Sequence, residues 1–242
     1  MEACQESDAS RVARVTALLD AARGADLIVL PELWRVGYDA FASYAASSEP
    51  LRGETCAFLC ERARVLRAFV LGGTFVERAG ERLYNTAVLV DPRGEIVATY
   101  RKMHLLDYQS QERTLLAPGV EPAVAATEIG TLGVAICYDL RFPELFRTLV
   151  ERGAEVLLVP SAWPAARRDA WDALSRARAV ENQAYVVACD GAGKRILGHS
   201  RVVDPWGVVV ASLGERPGVV RADLDLAALR RFREEFPAWR ER

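Results

Sequence analysis

Lysine and histidine are almost missing from this 242-residue chain: Lys102 and Lys194 are its only lysines, His104 and His199 its only histidines. So few imidazoles argue against a zinc site, even though Cys56 and Cys60 stand one helical turn apart. A cysteine–histidine thiol hydrolase would have to use His104 or His199. Long apolar runs are missing as well, and none approaches the roughly 20 residues of a membrane span. The formal net charge of −2 gives no reason to expect nucleic acid or an anionic membrane as a partner. No signal-peptide pattern, low-complexity segment or interdomain linker stands out. The cysteine count is odd at five, which points to reduced thiols and a cytoplasmic location. What remains is ordinary for a soluble globular protein, 51% hydrophobic and 26% charged, and the length suits one domain over residues 1–242.

Against that background three short segments carry chemistry. Cys137 ends the apolar run Gly133-Val134-Ala135-Ile136 and is followed by Tyr138-Asp139-Leu140-Arg141-Phe142-Pro143-Glu144. A thiol where a buried strand breaks toward a helix is well placed as a nucleophile, with the backbone N–H groups of the turn facing whatever it attacks. Taken alone, a cysteine there is more often a buried core thiol. Leu30-Pro31-Glu32 and Tyr100-Arg101-Lys102 change that balance, because each sets an ionisable residue after a strand-like run. A chain that otherwise uses arginine has kept a lysine at 102, as a site for one compact point charge requires.

The remaining pattern is alternating helices and strands. Ser10 is expected to cap a helix whose apolar positions are Val12, Val15, Leu18, Leu19 and Ala22, and Gly24 ends it. Residues 26–30 read as a buried strand, 54–67 as a helix, and 66–77 and 84–90 as strands. Asp91-Pro92-Arg93-Gly94 is a turn leading into 95–102. Further on, 129–137, 156–160, 184–189, 197–203, 208–212 and 219–223 read as strands, with helices at 143–152, 168–182 and 226–235. Asp204-Pro205-Trp206-Gly207 repeats the turn, so the chain has two similar halves. Two sheets packed face to face with helices outside is the solution that buries them, an α/β chain forming a four-layer α-β-β-α sandwich.

In order and spacing, Leu-Pro-Glu at 30–32, Tyr-Arg-Lys-Met-His-Leu at 100–105 and Ile-Cys-Tyr-Asp-Leu-Arg-Phe-Pro-Glu at 136–144 resemble the three signatures of the nitrilase superfamily of carbon–nitrogen hydrolases. Pro160-Ser161-Ala162-Trp163 and the segment 178–183 extend the resemblance, which runs from about residue 8 to the C-terminus. It implies the same sandwich, no cofactor, and an amide hydrolase in which Glu32 is the base, Lys102 the oxyanion cation and Cys137 the nucleophile. A second glutamate usually stands between the Lys and Cys motifs, and Glu112 matches its placement, orienting Lys102 and touching the amide nitrogen; a solvated loop glutamate is the alternative. The resemblance also implies a buried strand at the start, yet residues 1–8 are mostly polar. Either that strand is degenerate or the start lies upstream of Met1.

The residues support these roles independently. A thiol of ordinary pKa needs a base, no histidine is well placed, and a buried Glu32 would have its pKa raised toward the working pH. His104 is expected to face away from the site as a structural histidine. Lys102 and the Tyr138 N–H would hold the oxyanion. Tyr38, Tyr108, Tyr138, Arg141 and Trp163 are candidates to line the pocket, with Asp139 and Arg141 expected to form a supporting ion pair. Glu181 and Asn182 are expected to brace the site from behind, and Trp206 to serve packing or a subunit contact.

The motif around Cys137 resembles the amidase branch, including omega-amidases, so the expected substrate is a small carboxylate-bearing primary amide such as 2-oxoglutaramate. N-carbamoyl amino acids and deaminated glutathione are the enzymatic alternatives, and a non-catalytic binding or assembly member is the alternative of another class. Phe232, Phe236 and Trp239, at nearly helical spacing among arginines, lead to the expectation of a homodimer or larger homo-oligomer.

Overall fold

A computed structural model describes residues 7–193 and 195–241. The expected N-terminal strand, Cys4 and Lys194 therefore lie outside the described residues. The chain opens with helix α1 (Asp8–Ala21), whose cap is Ser7, not Ser10: the Ser7 hydroxyl accepts from the Ser10 N–H at 3.2 Å. Val15 and Leu19, one turn apart, are its buried face. Strand β1 (Leu27–Val29) follows, then α2 (Glu54–Leu66), which buries Cys56, Leu59, Ala63 and Leu66 at spacings of three and four.

The expected strand at 66–77 is broken into β2 (Phe69–Leu71) and β3 (Phe75–Ala79). Both lie along one edge of β4 (Arg82–Val90), while β5 (Ile96–Arg101) lies along the other, so Leu89 pairs with both Leu71 and Ala98. Gly72 and Gly73 make the break. Gly73 has φ +65°, and a Cβ there would collide with the Pro31 carbonyl oxygen. With β1 parallel to β2, this is a five-stranded sheet.

The second sheet has six strands, adding one that the sequence reading missed: β6 (Ala123–Thr127) pairs with β7 (Gly130–Val134). Helix α3 (Glu112–Leu115) is a single turn before them, and α4 (Pro143–Glu151) follows β7. Strand β8 (Val156–Ser161), helix α5 (Arg168–Asn182) and strand β9 (Tyr185–Asp190) complete a parallel centre of β7, β8 and β9. Strands β10 (Arg201–Val203) and β11 (Val209–Ser212) continue it antiparallel, and α6 (Leu226–Glu235) ends the main fold. Residues 219–223 form no strand.

Alternation along the strands fixes the layering. Phe69, Leu71, Ala87, Leu89 and Tyr100 join a core with Leu132, Val134, Val156 and Leu158 of the second sheet. Val70, Val88 and Val90 turn the other way, onto Val15, Leu19, Leu59 and Ala63 of α1 and α2. Helices α4 and α5 cover the far face of the second sheet through Phe146, Leu149, Trp171 and Ala179. The result is the expected α-β-β-α sandwich. The central strands β4 and β8 are buried on both faces, which is why they read as nearly continuous apolar runs rather than alternating ones. Among the described residues no helix is long and apolar enough to cross a membrane.

Candidate active site

Ends of strands from both sheets bring the reactive groups together. Glu32 stands three residues past β1, held by its N–H to the Ser161 carbonyl at 3.2 Å, so the two sheets are tied at this point. The turn that carries it depends on the Gly72–Gly73 break: the Trp34 indole donates to the Gly72 carbonyl at 2.9 Å and the Leu33 N–H to the Thr74 hydroxyl at 2.8 Å. Lys102 follows β5 directly, its N–H donating to the Asn85 carbonyl on β4 at 2.8 Å. Glu112 opens α3 and is fully buried, so it is no solvated loop residue.

The three side chains meet in one buried cluster. Lys102 Nζ donates to Glu32 Oε1 at 2.8 Å and to Glu112 Oε1 and Oε2 at 2.8 and 3.0 Å. Glu112 Oε2 also accepts from the Leu106 N–H at 2.9 Å, and Glu32 Oε2 from the Ala162 N–H at 3.0 Å. Burial alone would lower the Lys102 pKa, but the charges of Glu112 and Glu32 outweigh it and hold the ammonium well above the usual lysine range. Burial raises Glu32, with the neighbouring Glu112 charge adding and Lys102 opposing. Removing one member of such a buried set strands uncompensated charge, so it is a weak source of stability and a strong constraint on geometry.

Cys137 sits against this cluster, close enough for the charges of Glu32 and Lys102 both to act on its thiol. Its backbone is left-handed, φ +45°, at the first residue of a 3₁₀ turn over Cys137–Arg141. Such a conformation costs a non-glycine residue on the order of 1–3 kcal/mol, and aims the side chain off the strand. Burial, then the Glu32 charge, pushes the thiol well above its usual pKa. It therefore rests as S–H beside a carboxylate rather than as a free thiolate.

Several supports were invisible in sequence. Asp139 forms no ion pair with Arg141, contrary to expectation. Its Oδ2 accepts from the Ile136 N–H and the Tyr100 hydroxyl, both at 2.8 Å, and its Oδ1 meets His104 Nδ1 at 2.7 Å and the His104 N–H at 3.1 Å. Asp139 thus clamps the nucleophile turn to the segment after Lys102. Strand alternation would have placed His104 on the same face as Lys102. The strand ends at Arg101, however, and His104 turns aside to Asp139, stacking on Phe142 at 3.7 Å. Arg178, buried on α5, donates to the Leu140 carbonyl at 3.0 Å and to Glu181 Oε1 at 2.6 Å, so Glu181 acts through Arg178. Asn85 was missed too, although a lone amide inside the apolar run 84–90 was a usable signal.

The proposed pocket residues divide. The Tyr38 ring lies 5.8 Å from Lys102 Nζ, its hydroxyl 3.1 Å from Ser110 Oγ. The Arg141 guanidinium stands 5.3 Å from the buried Trp163 ring and 6.0 Å from the Tyr138 ring, with no acidic partner among the described residues. Trp163 is anchored by its N–H to Asp190 Oδ1 at 2.7 Å. Tyr108 is exposed, stacked under the Arg167 guanidinium at 5.3 Å. Among the described residues no group of three or more His, Cys, Asp or Glu could hold a metal ion.

The family model for carbon–nitrogen hydrolase matches residues 3–234. A 2-oxoglutaramate amidase of Paenarthrobacter nicotinovorans is 38% identical over 244 residues, covering 96% of this chain and 83% of the relative. A deaminated glutathione amidase of Mus musculus is 40% identical over 247 residues, covering 92% and 75%. Among solved structures, Nit3 of Saccharomyces cerevisiae, described as a member of branch 10 of the nitrilase superfamily, superposes with a TM-score of 0.87 at 30% identity, covering 98% of this chain and 92% of that one.

Proposed function

Because the chain belongs to the carbon–nitrogen hydrolase family and hydrolyses amide C–N bonds, we propose that it cleaves a small carboxylate-bearing primary amide of the 2-oxoglutaramate kind, releasing ammonia. The observation that carries this reading is the buried Glu32–Lys102–Glu112 cluster set against Cys137. In the cycle, Cys137 Sγ bonds to the amide carbon as its proton passes to Glu32, and the carbonyl electron pair moves onto oxygen. The Lys102 ammonium and the Tyr138 N–H hold that oxyanion. Collapse breaks the C–N bond, Glu32 gives its proton to the departing nitrogen, and a thioester remains on Cys137. Glu32 then takes a proton from water as the water oxygen attacks the thioester; collapse breaks the C–S bond, the acid leaves, and Glu32 returns the proton to Sγ. Glu112 keeps Lys102 aimed and receives the amide nitrogen.

Arg141, between Trp163 and Tyr138 and without an acidic partner among the described residues, is the cation proposed to take the substrate carboxylate. Tyr38, Trp163 and the exposed Tyr108 would complete the pocket and its rim. The protein is further proposed to work as one cytoplasmic domain in a homodimer or larger homo-oligomer. A second reading, a deaminated glutathione amidase, rests on the relative of that name at 40% identity.

Ammonia release measured on 2-oxoglutaramate, deaminated glutathione, an N-carbamoyl amino acid and a simple nitrile separates these readings. The proposal expects kcat/KM at least about tenfold higher on 2-oxoglutaramate, a difference of about 1.4 kcal/mol in transition-state binding. Preference for deaminated glutathione would select the second reading. Turnover of none of them, with Cys137 inert to iodoacetamide, would favour a non-catalytic member.

A further inference from the structure

Asn85 lies within β4, fully buried, and touches every charged member of the cluster or its backbone. Its Nδ2 donates to Glu32 Oε1 at 2.8 Å and to Glu112 Oε1 at 3.1 Å. Those same two oxygens accept from Lys102 Nζ, each at 2.8 Å. Two donors and two acceptors therefore alternate around a closed ring, ammonium opposite amide. The orientation of the amide is set by its surroundings, since the reverse would press Oδ1 against two carboxylates. Among the described residues the buried Oδ1 has no hydrogen-bond partner, so a bond has been given up to keep both Nδ2 hydrogens on the glutamates.

We infer that Asn85 is a positioning residue that sorts the two oxygens of Glu32, leaving Oε2 as the one that takes the proton from Cys137. Oε1 already accepts two hydrogen bonds, from Lys102 and Asn85, which use both of its lone-pair directions. Oε2 accepts one, from the Ala162 N–H at 3.0 Å, and keeps a lone pair for the thiol. In the step, the S–H bond breaks, an O–H bond forms at Oε2, and the sulfur pair becomes the S–C bond. Asn85 also lets one ammonium serve two carboxylates, because its amide dipole adds positive charge where the two oxygens approach each other. The inference rests on the reading of Glu32 as base.

The test compares Asn85→Asp and Asn85→Leu with wild type, measuring kcat and KM for ammonia release across pH. Losing the amide donor removes a bond to ionised Glu32, and Asp adds a third negative charge, so the Glu32 pKa must rise. The expected result is an acid limb moved upward by about one pH unit or more, a kcat loss of about tenfold on that limb, and KM within about twofold. A loss of kcat with the limb unmoved would overturn the inference, because a space-filling role does not shift a titration. Should neither variant fold, the wild type answers alone. Asn85 and Asn182 are the chain's only asparagines, so selective ¹⁵N-asparagine labelling leaves two side-chain amides to follow. One of them is expected to shift along the acid limb of activity, and neither shifting would overturn the inference. Glu32→Gln separates the two claims: an active Gln enzyme removes the base reading itself. An inactive Gln enzyme with an unmoved limb in the Asn85 variants removes only the inference about Asn85.

Discussion

At the scale of single residues, the site is governed by burial and by two carboxylates around one ammonium. Burial raises Glu32 above its ordinary 4.5, and Glu32 must be ionised to accept the thiol proton. Activity is therefore expected to fall as pH drops through a value above 4.5, read as the acid limb of kcat/KM. Lys102 is held above its ordinary 10.5, so no loss of activity below that pH is expected from its deprotonation. Cys137→Ala removes the nucleophile and is expected to cost more than about 10³-fold in kcat with the fold retained by circular dichroism. Cys137→Ser is expected to be nearly as inactive, because Glu32 is too weak a base for a hydroxyl. Lys102→Arg is expected to lose about 10²–10³-fold, close to Lys102→Ala, since a planar fork does not fit between Glu32 and Glu112 in the space of one Nζ. Wild-type kcat in the Arg variant would remove Lys102 from the oxyanion site. Glu112→Gln is expected to fold and to lose most of kcat, as an amide there cannot balance the ammonium.

At the scale of elements, the site is a set of strand ends held by irregular backbone. The Gly72–Gly73 break lets the chain after β1 pass close to the five-stranded sheet, and Pro31 touches Gly73 where any Cβ would collide. Gly73→Ala is thus expected to destabilise the fold by roughly 2–4 kcal/mol, from strain at positive φ plus the clash, measured by urea denaturation. It should also lower kcat in the fraction that folds, because the turn bearing Glu32 is displaced; full activity would mean the turn is positioned from elsewhere. On the other side, Asp139 ties the Cys137 turn to Tyr100 and His104, and Arg178 ties it to α5 through Leu140. The nucleophile is thereby clamped from the five-stranded sheet on one side and from α5 on the other.

For the whole molecule, the C-terminal aromatics divide in two. Trp239 folds back onto the core, its N–H donating to Gln183 Oε1 at 2.9 Å and its carbonyl accepting from Arg147 at 2.6 Å. Phe232 and Phe236 turn outward, stacked with Trp206 of the β10–β11 turn at 4.7 Å from Phe232. Trp206 and Phe236 are 50% and 59% exposed, beside exposed Val208 and Val210, an apolar stripe that a second copy would cover. Light scattering is expected to give at least twice the 26.6 kDa chain mass at micromolar concentration. Trp206→Glu with Phe236→Glu is expected to lower it to one chain, and a wild-type mass near one chain would sink the proposal.

The parts of this protein written in local chemistry were readable from the chain alone. The turns after β1, β5 and β7 put Glu32, Lys102 and Cys137 each behind an apolar run, and a nearly lysine-free composition singled out Lys102. Helix bounds at 168–182 and 226–235 followed from apolar spacing, which acts within a few turns. The rest depends on residues distant in sequence. Asp139 had Arg141 as its near neighbour, but Tyr100 and His104 arrive from the other sheet and take its oxygens. Residues 66–77 looked like one strand until the chain at Pro31 required a break at Gly72–Gly73. Asn85 drew no attention within the strand 84–90, and Glu112 was read as the second glutamate only through the resemblance. Only the packing of two sheets brought both to one ammonium, where burial makes each hydrogen bond between them count.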